Sequence, residues 1–476
     1  MDDFQRELLS RLPLGESVLR LFAHVLAPPF LQELFEKHRG RCYEKGLSFP
    51  ALLYLIRDAV LIYGGSAQQA FEHAQEEGQL PVAIQNAYGK LGRLPIELSL
   101  AFLREGSRRL EALMPQEACP TAVPLPESLD GLQVVAVDGK KLKKAAKRLK
   151  LLRDLPGKLL GGKLLVAMSI RSGLAIAMSA DPDGERNDVP LVPALLPQVR
   201  QRIAEVILWI ADRQFADLNL PGLFAGTLDH FLLRCAKTLK FYPDAGRPQQ
   251  EGIDANGRRY VEEWGWIGNP KDKRRRYVRR ITLYRPQETE DIILVTDLLE
   301  EQRYPAQDLL EVYLRRWGIE QMFQLVTEVF ELQRLIGSTP QAAIFQGAFC
   351  LLLYNMILLI KAYVAKAGQQ ELQKVSTEKL FVDVTHELIS WAKVGDAPQA
   401  CKELEQAMGD GAMRDWLGAA LGEVWTDRWL KAKPKKKTPA VKRKVPKGHG
   451  GHTSVWKVLQ QQAKLSRPSA KQHGRS

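Results

Sequence analysis

The sequence predicts a mixed α/β core that carries a β-rich insertion and is flanked by helices on both sides. Three observations predict it. Apolar spacing changes from helical to strand-like near residue 131, a polar alternating stretch at 241–290 interrupts the core, and helical spacing returns after residue 303. Composition permits this plan: 476 residues with 45% hydrophobic content suffice for about two to four domains of roughly 100–200 residues each. A collagenous, disordered or disulfide-stapled chain is excluded. Cys42, Cys119, Cys235, Cys350 and Cys401 are far apart in sequence, without a CxxC pair or zinc spacing, which predicts incidental thiols in a reducing compartment.

Residues 1–113 place apolar side chains at helical spacing in SVLRLFAHVL, PFLQELFEKH, FPALLYLIRDAVLIY and LPIELSLAFLREGSRRLEAL. Gly64, Gly65, Ser66, Pro81 and Pro95 punctuate these helices. Residues 114–130 hold four prolines and read as a linker. The core domain, 131–340, opens with LQVVAVDG, KLLVAMSI and GLAIAMSA, short apolar runs bounded by glycine or charge, as buried strands are. VPLVPALLPQVRQRIAE reads as a helix, EVILWIADRQF as a fourth strand and HFLLRCAKTL as a fifth. Residues 241–290, with RRYVEEWGWIG and RRRYVRRITLY, form the β-rich insertion. YPAQDLLEVYLRRWGIEQMFQLVTEVFELQRL then reads as one long amphipathic helix, with Trp317 among the apolar residues that supply much of its packing surface, some of which must lie near the functional side.

Residues 341–430 predict a helical C-terminal region. Its apolar stretch from Ala348 to Ile360 is 13 residues long and carries Asn355, short of the roughly 20 residues of a spanning helix, so a buried core helix and no membrane contact are expected. The charged start, MDDFQRELLSRLPLGES, lacks a signal peptide's apolar core, which predicts a cytoplasmic protein. No internal repeat and no GxxxxGK[ST] phosphate loop is present.

The net charge of +13 is concentrated at one end. Lys431 to Ser476 holds 14 Lys+Arg and no acid, leaving 54 basic and 55 acidic residues in the rest of the chain. Rich in Pro, Lys and Gly, residues 431–476 read as a basic disordered tail, suited to a polyanion that it binds by counterion release. Two further basic clusters, Lys140 to Lys163 and Lys271 to Arg280, stand inside the near-neutral body. Each alone reads as a solvated face; three together favour nucleic acid.

Cleavage of phosphodiesters commonly uses two divalent ions about 3.5–4 Å apart, held by carboxylates from separate elements. Asp138 ends the first strand and Asp212 the fourth, and Glu320 shares a helical face with Tyr313, Arg316 and Thr327. On spacing alone an acid beside an Arg is as well explained by a surface pair, and Asp at a strand end by a turn.

These segments resemble the DDE transposases of the insertion-sequence-4 family. VVAVDGKKLK resembles the strand bearing that family's first Asp, ILWIADRQF the strand bearing its second, and YLRRWGIEQMF its signature helix of Tyr, Arg, Glu and Lys. Tyr313, Arg316 and Glu320 match; the last signature position is Thr327 instead of Lys. The resemblance covers about 130–365 and includes a β insertion between the second Asp and the Glu.

It implies a ribonuclease-H-like catalytic core in which Asp138, Asp212 and Glu320 hold two Mg²⁺ ions, with Mn²⁺ as a substitute. The implied reaction is cleavage at insertion-sequence ends followed by strand transfer. Tyr313 and Arg316 would contact phosphates, while Lys140, Lys141 or the run Arg274, Arg275 and Arg276 would replace the missing Lys. In related transposases an insertion aromatic stacks on an extruded base, which makes Trp264 and Trp266 candidates, although Trp-Gly-Trp alternation also suits packing on one strand face. The implied partners are double-stranded DNA, as terminal repeats and target, and a second copy of the chain in a nucleoid-associated dimer. Residues 1–113 would recognise the ends. Two rival functions stand: a DNA-binding protein that keeps the fold without catalysis, and a metal-dependent nuclease that does not join.

Overall fold

The computed structural model describes residues 1–115, 124–143, 150–153, 157–216, 219–224, 227–286, 290–330, 337–395, 408–432 and 452–465, together with Leu155, Leu332, Ala400, Glu403 and Leu404. Its centre is one mixed sheet. Strands β1 (Gln133–Lys143), β2 (Lys158–Ser169) and β3 (Ala175–Asp181) form an antiparallel meander, and β4 (Ile207–Ala211) and β5 (His230–Arg234) run parallel to β1, giving the order β3-β2-β1-β4-β5. The insertion supplies β6 (Phe241–Pro243), β7 (Gln250–Ile253), β8 (Arg259–Ile267) and β9 (Arg276–Leu283). Strand β10 (Ile292–Thr296) pairs with both β5 and β9, so the insertion prolongs the core sheet.

Among the described residues, seven α-helices precede the sheet: α1 (Asp3–Ser10), α2 (Pro13–Val25), α3 (Pro28–His38), α4 (Phe49–Leu61), α5 (Ala67–Glu76), α6 (Ile84–Leu91) and α7 (Ile96–Glu111). Within the core domain lie α8 (Lys150–Arg153), α9 (Val192–Arg200), α10 (Asn219–Phe224), α11 (Ala306–Arg315) and α12 (Trp317–Gln324). Helices α13 (Pro340–Ala367) and α14 (Thr377–Ala392) follow, then Asp410–Leu421. One large hydrophobic core joins α1–α7, strands β1–β4, α13 and α14; a second packs α11, through Leu309, Leu310 and Val312, against the sheet. The flanking helices are tied together as well, because Gly15 donates its N–H to Glu387 on α14 at 2.9 Å.

Helix α13 is 28 residues long, more than double the apolar stretch that marks it in sequence, and is long and apolar enough to cross a membrane. Every residue of its apolar window is nevertheless buried against protein. Asn355 explains how it carries a polar group there: its amide donates to Ser107 Oγ and Ala175 O at 2.8 Å each, and its Oδ1 accepts from Ala175 N at 2.9 Å. Asn355→Leu leaves the buried Ala175 N–H unsatisfied and is expected to cost about 2 kcal/mol. Urea unfolding checks this, and an unchanged midpoint would show that the contact contributes nothing.

Two expectations are corrected. The signature segment is not one continuous helix: α11 ends at Arg315, α12 begins at Trp317, and residues Leu325–Val329 widen into a π-turn. The C-terminal tail is not disordered throughout. His452–Ser454 form β11, parallel to the start of β2, and Val455–Leu465 form a helix. Val455, Val458 and Leu459, at helical spacing, pack with Leu152 and Leu159, and Lys457 pairs with Glu185 and Asp183. That short apolar stripe is diluted in sequence by the surrounding lysines. Residues 433–451 and 466–476, with Cys119 and Cys401, lie outside the described residues; Cys42, Cys235 and Cys350 are buried, free thiols.

Candidate functional site

Strands β1 and β4 lie side by side with Val137 beside Ala211, so Asp138 and Asp212 follow at the same level. Successive strand residues face opposite sides. Val134, Leu208 and Ile210 pack toward α11, whereas Val135, Val137, Trp209 and Ala211 join the other core. Asp138 keeps step with Val134 and Asp212 with Ile210, which turns both carboxylates toward the α11–α12 side. Strand β1 does not end at Asp138, as the sequence suggests. It loses β4 there but continues along β2 to Lys143, Asp138 to Lys141 pairing with Val166 to Lys163.

Arg316 sits at the junction of α11 and α12 and gathers the acids. Its Nη2 donates to Glu320 Oε1 at 2.8 Å, and its Nη1 lies 4.0 Å from Asp138 Oδ2. Asp212 is a further charge neighbour of Arg316 and stands 3.8 Å from Arg234 Nη1 on β5. The Tyr313 hydroxyl is buried beside Arg316, Asp212 and Arg234, and burial pushes its pKa up to about 12. The structure thus brings Asp138, Asp212, Glu320, Tyr313 and Arg316 together from β1, β4, α11 and α12.

Burial pushes the Asp138 carboxyl up to about 6, with Glu320 and Asp188 adding like charge, against the Gly139 N–H at 2.8 Å and Arg316. A carboxyl with a raised folded pKa binds its proton more tightly when folded, so stability falls as pH rises from about 4 through about 6 and stays reduced above. In EDTA, Asp138→Asn is therefore expected to be more stable than the parent at pH 7.5 by on the order of 2 kcal/mol, and not at pH 4. Urea unfolding at both pH values decides it; equal stability at both would reject the effect.

Do these residues suit a divalent cation? Asp212 Oδ1 is buried without a hydrogen bond, and ionised Asp138 is penalised by its surroundings, both of which a cation would relieve. The donors are hard oxygens, as Mg²⁺ requires. Among the described residues, however, no three Asp, Glu, His or Cys side chains are gathered as a ready metal cage. The positive charge between the acids is that of Arg316, to which Glu320 is hydrogen-bonded.

Lys140 follows Asp138 on the same face. Its ammonium lies 3.5 Å from Phe323 O and 5.6 Å from the Phe323 ring, and burial lowers its pKa. Thr327 Oγ1 donates to that same carbonyl, so a lysine charge from β1 arrives beside the threonine. Lys141 faces the other way.

Of the insertion residues, Trp264 is 1% exposed. Arg247 stacks on it at 3.9 Å, and its Nε1 donates to Leu299 O at 2.9 Å, so it packs the insertion and offers no face to a base. Trp266 is 36% exposed, with Arg275 at 4.1 Å from its ring. The arginine-rich run is largely internally compensated: Arg279 is paired to Glu262, Arg280 to Glu263 and Arg274 to Asp272. Trp317 is 57% exposed, one helical turn before Glu320, so it is one of the helix's apolar residues that lie outside the packing surface. The sequence reading missed Asp188, a buried acid next to the site. Nothing in GERNDVPLV distinguishes it from a helix-start residue.

Residues 130–356, just under half of the chain, match the family model of the transposase DDE domain. The matched span contains Asp138, Asp212 and Glu320 and supports a transposase acting on DNA. No curated protein matches the chain.

Proposed function

We propose that this chain, which carries a transposase DDE domain, is a DNA transposase that cleaves at the ends of an insertion sequence of the insertion-sequence-4 type and joins them to target DNA. The observation that carries the reading is the convergence of Asp138, Asp212 and Glu320 on Arg316 at the edge of β1 and β4. The strand order β3-β2-β1-β4-β5 supports a ribonuclease-H-like core. Asp138, Asp212 and Glu320 would hold two Mg²⁺ ions, or Mn²⁺, and the ions would supply Lewis-acid charge to the reacting phosphate.

The chain's own residues do the rest. Arg316 offers a fork of donors suited to a phosphate and exchanges its bond to Glu320 for one to DNA. Tyr313 braces it, and Lys140 supplies the charge that Thr327 lacks. Trp266, with Arg275 and Arg276, offers a stacking face to an extruded base; Arg274 is held by Asp272 and Lys141 faces away from the acids, so neither supplies the missing charge. Residues 1–113 bind terminal repeats, 341–430 hold a second copy in a synaptic dimer, and the basic segment after 431 contacts DNA backbone, consistent with a nucleoid-associated protein.

The test incubates full-length protein with DNA carrying the element's own end, in Mg²⁺ and in EDTA. Mg²⁺-dependent nicking followed by a joined product is expected. Nicking without joining would replace the reading by a nuclease, and binding without either would replace it by a DNA-binding protein without catalysis.

A further inference from the structure

Behind Asp138, on the face opposite its carboxylate, stands a buried acid that none of the proposed chemistry uses. Asp188 precedes α9 and is almost wholly enclosed. It pairs with the equally buried Lys163 of β2 and accepts a hydrogen bond from the side chain of Gln214. It also presses on β1: a Cβ at Gly139 would run into its carboxylate, so only glycine fits beside Asp138. One side chain therefore touches the residue after Asp138, the neighbouring strand β2 and the residue two places after Asp212.

We infer that Asp188 is a positioning residue that, through Gly139 and Gln214, sets the spacing of Asp138 and Asp212 for divalent-cation binding. The chemistry of the contact supports a strut. The Lys163 ammonium neutralises the acid, which leaves it a fixed anchor for the Gln214 amide, and Gln214 is carried on the short 3₁₀ turn Arg213–Phe215 that Asp212 opens. Gln214 is itself exposed, so its side chain is oriented by this bond, while the buried Phe215 seats the turn. Without the tie, the Asp212 turn keeps its anchor at the buried Phe215 but loses its link to β1 through Asp188, and the ion must hold the two carboxylates at their spacing on binding.

The inference rests on the metal-dependent reading above, and its test keeps the two apart. Full-length protein, Gln214→Ala, Gln214→Glu and Asp188→Asn are compared for DNA nicking across a Mg²⁺ titration, with thermal melting in EDTA as the control. Gln214→Ala is expected to raise the Mg²⁺ needed for half-maximal nicking about 10-fold at an unchanged metal-free melting temperature. Gln214→Glu, which sets a second carboxylate against Asp188, should raise it further. A purely structural role would move melting and leave the Mg²⁺ requirement alone. Because Gln214 is exposed, its two variants decide the matter even where Asp188→Asn fails to fold. An unchanged Mg²⁺ requirement in both would overturn the inference while leaving the transposase reading intact, whereas a parent protein that never nicks DNA would overturn the reading itself.

Discussion

Asp138→Asn, Asp212→Asn and Glu320→Gln are each expected to reduce DNA nicking by more than about 100-fold, beyond the 10–100-fold typical of groups that only support a metal ligand. Each keeps the size of the side chain and removes the charge that would hold the cation. DNA binding should survive, because Arg316, Tyr313 and Lys140 remain to meet phosphates. Glu320→Gln carries a further signature. It weakens the 2.8 Å bond that engages Arg316, so binding without metal should tighten slightly as the guanidinium becomes available. Nicking that persists in any one variant would remove that residue from the ligand set, and binding that disappears in parallel with nicking would show that the acid supports the fold instead.

The second large effect concerns charge outside the core. Replacing Lys435, Lys436, Lys437, Lys442, Arg443 and Lys444 by Gln is expected to flatten the plot of log affinity against log salt by up to about 5, at about 0.9 for each phosphate no longer neutralised. Equilibrium binding to a non-specific duplex at several salt concentrations measures it. Point replacement is the cleaner experiment than truncation after residue 430. Truncation would also remove β11 and the following helix, exposing Leu152 and Leu159. An unchanged slope would identify the segment as solubilising only.

Local sequence carries the mixed sheet with its β insertion, the helical character of the flanks and the motifs that make Asp138, Asp212 and Glu320 candidates. Each is a local property: strand and helix periodicity come from which face of an element meets the core, and the acid positions are fixed by short motifs around Asp138, Asp212 and Glu320. Which charges stay available depends on tertiary packing. Arg279 stands in a basic run and Trp264 suits either base stacking or packing, and strand pairing buries them with Glu262 and Arg247. Trp317 is one of the signature helix's apolar residues and is left outside the packing surface. Lys140 reaches the turn beside Thr327 only because β1 continues past Asp138 along β2. Asp188 gains its place from contacts to Lys163, Gly139 and Gln214, which are separated by tens of residues in the chain. Burial and charge compensation depend on which distant segments meet, and local periodicity carries no information about such meetings.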